Sequence, residues 1–391
     1  MSEPRYLIAD PRTFPDATAA PAAARSLYAL AEASLAAETG QRAEAIDREL
    51  RSLLAARLAA DGPELAAILA GAPSVAVTRH LWRALDAGWR EAAAPAGAGL
   101  AVTVFALPLV IVTGLESAEG DGLLPGVLAD PAGIAAILAD SGALAGNRTF
   151  ALANALVAAD ALDIARLPEF FAWQRLPDAL APGGVPPVRA LAPAPCAFHA
   201  AREAVYLRFL VGTAIAKPGA DLLADTAVGK WGVPFCRELG RQLGAGRVPV
   251  LALARAPQRL LPAVAQGRAA QREVSAQIFA SNAIRKFRAS VGEPAAVVSA
   301  HQAPDAPGGG ELRLSLSSPF EPRAAEGFRC PLYPLDRVGD VASMLVDLLR
   351  DCRVTDIRVL AGVHADRVAR TGLPLLFKPD TIPDATAVTL H

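Results

Sequence analysis

Two histidines close apolar runs of the kind that build strands: His301 ends AAVVSAHQ and His364 ends IRVLAGVHAD. Asp366 follows the second by two residues. If those strands are neighbours, His301, His364 and Asp366 converge as a catalytic or metal-binding set, with the carboxylate orienting a ring or sharing a cation. No familiar ligand spacing supports that convergence. Two hydrogen-bonded histidines that serve only the fold are the plainer expectation.

A second set follows the most apolar stretch in the chain, GLAVTVFALPLVIVTG (99–114). If that stretch is a buried strand, TGLESAEGDG is the loop at its carboxyl end, where open α/β sheets bind ligands. Glu116, Glu119 and Asp121 could there hold a divalent cation or work as acid and base. A solvated acidic turn is the simpler reading, and the glycines match neither the dinucleotide nor the P-loop fingerprint. TAVGKWG has a Gly-Lys pair without the upstream glycine or the Ser/Thr of a P-loop.

Three weaker features remain. Cys196 and His199 in CAFH need spatial contact and a third, orienting group before they can act as a nucleophile pair. Asn147 in AGNRTF reads as an N-cap for a helix after it, and a glycan on its N-x-T would need secretion. The run 257–291 carries Arg259, Arg268, Arg272, Arg285, Lys286 and Arg288 against Glu273 alone. A phosphate-rich partner could dock there, but these positions scatter round a helical axis, so a salt-bridged face is expected instead. His80 sits on an amphipathic helix and is read as structural. No metal site and no cofactor emerge.

The elements that must position these groups come next. Residues 20–92 show helical spacing, as in Ile46, Leu50, Leu53, Leu54 and Leu58, with Gly62 and Pro63 as punctuation. DPAGIAAILADSG and RTFALANALVAADALDIARL read as two more helices. Residues 176–188, LPDALAPGGVPPV, look like a linker. Beyond them the period changes: AVYLRFLVGTAIA and RVPVLALA read as strands, and 257–291 as the longest helix. PAAVVSAHQA and ELRLSLSSPF flank PDAPGGG as a hairpin. DRVGDVASMLVDLLRDC is an amphipathic helix, VTDIRVLAGV a strand, and LPLLFKPD a short edge strand.

The apolar stretch can also be read as a membrane span, since residues 92–115 carry no charge and basic groups precede acidic ones. Its β-branched content (Val102, Thr103, Val104, Val110, Ile111, Val112, Thr113) and its central Pro108 favour a buried strand. Four scattered cysteines among 391 residues make no disulfide framework and fit a reducing cytoplasm. The N-terminus lacks the pattern of a signal peptide. A net charge of −1 argues against a general nucleic-acid binder. The Ala-, Arg- and Pro-rich composition fits a GC-rich bacterial coding sequence.

The expected fold is mixed, α/β or α+β: a helical N-terminal region, then one or two small mixed sheets covered by helices. The expected divisions are 1–92 helical, 93–175 a strand with helices, 176–188 a linker and 189–391 a mixed α/β domain. Without a catalytic signature the residues lean slightly towards a non-catalytic interaction or assembly protein with protein partners. The alternatives are an enzyme or ligand- or metal-binding protein using strand ends, and a membrane-associated protein held through 92–115. The oligomeric state is left open.

Overall fold

The computed structural model describes residues 6–93, 101–114, 123–141, 143, 149–173, 198–199, 204–216, 228–244, 250–304, 308–318, 321, 324–365 and 388–389. The fold is mixed α/β and divides into two compact units. One comprises Pro15–Arg268, and the other joins Met1–Phe14 to Ala269–His391.

The Pro15–Arg268 unit begins with four helices: α1 (Ala22–Leu35), α2 (Gly40–Ala60), α3 (Gly62–Ala70) and α4 (Val75–Ala93). Their ends follow local chemistry. Thr39 caps α2 by accepting from the Arg42 amide, and Asp61 caps α3 by accepting from that of Glu64, with Pro63 in the first turn. There follow β1 (Ala101–Thr113), β2 (Leu123–Leu124), α5 (Pro131–Asp140), β3 (Thr149–Val157), α6 (Leu167–Trp173) and β4 (Phe198–His199). Then come β5 (Ala204–Ala216), α7 (Val228–Gly244), β6 (Val250–Ala254), β7 (Gln258–Arg259) and α8 (Leu260–Ser290), whose residues from Ala269 belong to the other unit.

The five-stranded sheet here runs β3-β5-β1-β6, with β7 also on β1, and every pairing is antiparallel. Both faces are mainly apolar, with Arg208 and Thr213 of β5 buried among them. Val104, Ala106, Leu207, Phe209 and Val211 pack with the core of α1–α4 and the start of α8. Leu107, Leu109, Ile111 and Leu210 pack with Ile134 and Leu138 of α5 and with Trp231, Phe235 and Leu239 of α7. The stretch 101–113 is thus the strand between β5 on one side and β6 and β7 on the other. No helix among the described residues is long and apolar enough to cross a membrane.

Pro108 survives in this central strand because of where its nitrogen points. Its carbonyl accepts from the Arg255 amide (2.9 Å), so its nitrogen faces the same side. There the partner passes from β6, which ends at Ala254, to β7, which starts at Gln258, and no ladder bond needs the missing N–H.

Two expectations are corrected. Residues 149–157 are the strand β3, not the start of a helix, so Asn147, itself outside the described residues, has no helix there to cap. The Ala-rich run has helical propensity, but pairing with the long strand β5 overrides it. Residues 176–188 also lie outside the described residues, and strands on either side of them, β3 and β5, pair in one sheet. They therefore do not separate two sheets, and the unit boundary falls instead near residue 268, inside α8.

The second unit continues from α8 with β8 (Ala295–Gln302), β9 (Gly310–Ser317), β10 (Ala325–Leu332), α9 (Val338–Asp351), β11 (Ile357–Val363) and β12 (Val388–Thr389). The sheet order is β11-β8-β9-β10-β12. β8 and β9 form the hairpin read from the sequence, whereas β11 runs parallel to β8. Alternate residues, Ala296, Val298, Ala300, Leu312, Leu314, Leu316, Phe328 and Cys330, face Phe279, Ile284 and Phe287 of α8 and Leu345 and Leu349 of α9. Tyr6 and Ile8 pack against this core, and the residues after them are hydrogen-bonded to the same unit. The Ala9 amide donates to Ala361, and the Arg12 guanidinium donates to the carbonyls of Tyr333 (2.7 Å) and Asp336 (3.0 Å).

Candidate functional site

The alternation that turns leucines towards the helices turns polar side chains to the other face of β8, β9 and β10. Ser299, Arg313 and Arg329 lie in one cross-strand row, and His301, Glu311 and Pro331 in the next. This face is polar yet buried: Ser299 is fully enclosed, and His301 and Glu311 are each 2% exposed. A buried carboxylate must be matched, and Glu311 is. Its Oε1 accepts from Arg313 Nε (2.7 Å) and its Oε2 from Arg329 Nε (2.6 Å).

His301 and His364 sit at the carboxyl ends of the parallel neighbours β8 and β11. Their ring centroids are 6.1 Å apart, and the His364 amide donates to the Ala300 carbonyl (2.8 Å). Burial, reinforced by the Arg313 charge and by His364, brings the His301 pKa down to about 3, against a hydrogen bond to the His364 backbone that pulls the other way. The ring is therefore neutral near pH 7, and its Nε2 lies 2.9 Å from Ser299 Oγ. Nε2 of His364 is buried and has no hydrogen-bond partner among the described residues.

A hydroxyl beside an imidazole suggests a nucleophile and its base. Two facts weigh against it here: Ser299 is out of reach of solvent, and a ring titrating near 3 is too weak a base to take a hydroxyl proton near neutrality. Nor do the described residues contain any group of three or more His, Cys, Asp or Glu placed to hold a metal ion.

Asp366, the expected third member, lies outside the described residues, as do Glu116, Glu119 and Asp121 and Cys196. Glu311, Arg313, Arg329 and Ser299 were missed in the sequence. For Glu311 and Arg313 the signal is the alternation in ELRLSLSS, which reads the same for a strand with one face in water. His80 is held by Asp47, its Nε2 2.8 Å from Oδ1, and Asp47 also accepts from Ser34, which ties α1, α2 and α4 together. The basic groups of 257–291 are largely spoken for. Arg259 pairs with Asp86, Arg272 with Asp336, Lys286 with Glu326 and Arg288 with Glu293.

A different kind of surface lies at the edges of the first sheet. The outer edge of β3 is covered: the Leu128 amide donates to Asn154 (2.7 Å) and the Leu156 amide to Gly126 (2.8 Å). β6, at the opposite edge, pairs only with β1 among the described residues. Leu251 and Leu253 on it are 46% and 38% exposed. Compared with known proteins, the chain matches no family model, no curated protein and no solved structure.

Proposed function

We propose that the chain is a non-catalytic cytoplasmic interaction protein, an assembly component that engages another polypeptide through the β6 edge, where β6 pairs only with β1 among the described residues. The observation that carries this reading is the contrast between the two edges of one sheet. An edge strand is a template for pairing, and proteins cover or charge it when it must stay free. Here β3 is bonded along its outer side to Gly126 and Leu128, whereas β6 (Val250–Ala254) pairs only with β1 among the described residues. It has the Cys236 thiol of α7 on the Ala254 backbone, and contains no charge, no proline and two exposed leucines. The self-sufficiency of the polar cluster supports the same reading, because Glu311 and His301 are already committed within the protein. The free thiols of Cys236, Cys330 and Cys352 fit a reducing compartment.

The occupant best suited to this edge is a second copy of the chain. Antiparallel pairing about Ala252 sets Leu251 of each copy opposite Leu253 of the other on one face, and no charge is buried. Light scattering of the full chain should find a dimer, and Leu251→Lys with Leu253→Lys should make it a monomer with an unchanged circular dichroism spectrum. A chain that stays monomeric at every concentration, or a dimer indifferent to both lysines, rules the proposal out.

One observation favours a second reading, a small-ligand site at the β8 and β11 ends: the Nε2 of His364, beside His301, has no hydrogen-bond partner among the described residues. A thermal-shift screen of metals and small anions should then show stabilisation that is lost in His364→Phe. Equal shifts in both proteins would remove this reading.

A further inference from the structure

In the Pro15–Arg268 unit a pocket of about 200 Å³ opens between the segment Pro15–Pro21, α1 and α3. It is separate from the β6 edge and from the polar cluster. Its floor is apolar and well packed: Ala24, Tyr28 and Ile68 are each at most 4% exposed. Among the described residues that line it, the only side-chain hydroxyl belongs to Tyr28, which donates to the Ile68 carbonyl (2.7 Å). Small residues keep the space open. At Gly71, which also lines it, a Cβ would stand 3.1 Å from the Tyr28 oxygen.

The charged side chains lining the pocket are both acids, Asp16 and Glu64. Asp16 accepts from the Thr18 amide, which holds its carboxyl below the usual range and keeps it ionised. Glu64 pairs with Arg57 through one oxygen, Oε1 (2.7 Å). The pocket thus offers an apolar interior together with carboxylate oxygens. Size narrows the choice further, since an apolar cavity of about 150 Å³ accommodates benzene.

We infer that this pocket binds a small organic ammonium compound of about six to eight heavy atoms. Its ring or short aliphatic body would lie against Ala24, Tyr28 and Ile68, and its ammonium group would face Asp16 and Glu64. A carboxylate of the same shape is repelled, and a neutral isostere lacks the ionic attraction.

The test is calorimetric titration of the full chain with benzylamine, benzyl alcohol and benzoate. Benzylamine should bind saturably and at least about 3-fold more tightly than benzyl alcohol, and benzoate should not bind. Glu64→Gln should weaken benzylamine by about 2- to 5-fold, the range of an exposed ion pair, and leave benzyl alcohol unchanged. Ala67→Leu adds bulk to the lining at an exposed helical position and should abolish binding. Ala19→Leu does the same from the opposite wall, should Ala67→Leu alter the melting curve. Absence of saturable benzylamine binding, equal affinity for benzoate, or indifference to both leucines overturns the proposal.

Discussion

The two sheets of this protein solve burial in opposite ways. The sheet of β1, β3, β5 and β6 is mainly apolar on both faces, with Thr113, Arg208 and Thr213 as buried polar exceptions, and helices pack on each face. The sheet of β8, β9 and β10 is apolar on one face only, yet its other face is buried as well and carries Ser299, His301, Glu311 and Arg313. In the first sheet cohesion is a matter of area and fit, which tolerates exchange between similar apolar shapes. The second depends on matched charges and hydrogen bonds, where removing one partner strands the others.

The largest expected break in that contrast is Glu311→Gln. The change is nearly isosteric, but it leaves the guanidinium groups of Arg313 and Arg329 without their shared carboxylate. Urea denaturation should show a loss of about 3–5 kcal/mol. A loss under about 1 kcal/mol would mean that this face does not depend on the ion pairs.

Acid should separate the two layers next. The unfolded chain protonates His301 as the pH falls through its ordinary value of 6.5, whereas the folded ring stays neutral down to about 3. The stability held by this residue is therefore intact above pH 6.5 and declines between about 6.5 and 3, by at most about 1.4 kcal/mol per pH unit. Denaturation at pH 7, 5.5 and 4.5 should show a shallower decline in His301→Gln. Identical slopes would refute the assignment.

The apolar sheet has its own sensitive point. A Cβ on Gly212 would lie 2.5 Å from the Phe105 ring and 2.7 Å from the Ala151 carbonyl on the flanking strands. Gly212→Ala should cost about 1–3 kcal/mol by overpacking. A chevron or melting comparison that finds no change would show slack between β1, β3 and β5. The smallest effect belongs to Leu109→Met, a fully buried but volume-conserving swap, at under about 1.5 kcal/mol. A cost matching that of Glu311→Gln would erase the distinction between the sheets.

These two modes of burial also explain what could be read from the sequence. The strands β1 and β5 are legible because residues such as Val102, Val104, Val110 and Ile111 in β1 and Val205 and Val211 in β5 are poor choices for a helix, and α9 because Val338, Val341, Ala342, Leu345 and Leu349 share one helical face. Position at strand ends also singles out His301 and His364, although only the parallel pairing of β8 with β11 puts them side by side. The polar cluster was hidden, since Glu311 and Arg313 alternating with leucines look the same whether that face meets water or protein. β3 was hidden by alanine, which leaves little periodic signal for an edge strand. The pairing of β1 with β5 joins segments about a hundred residues apart, and nothing local encodes it.

The contacts of Arg12 bear on how the protein is made. Arg12 and the Tyr333 carbonyl it binds are 321 positions apart, with the whole Pro15–Arg268 unit between them. At about 5–20 residues per second, a ribosome takes about 15–60 s to add the missing chain. Throughout that interval the segment around Arg12 is synthesised but without its sheet, whereas the intervening unit is complete in sequence once residue 268 has been added, before the sheet is. A nascent chain arrested after residue 268 but before residue 333 should therefore contain the whole Pro15–Arg268 unit and an Arg12 still open to protease. The last part of the protein to settle would include one of the first parts made.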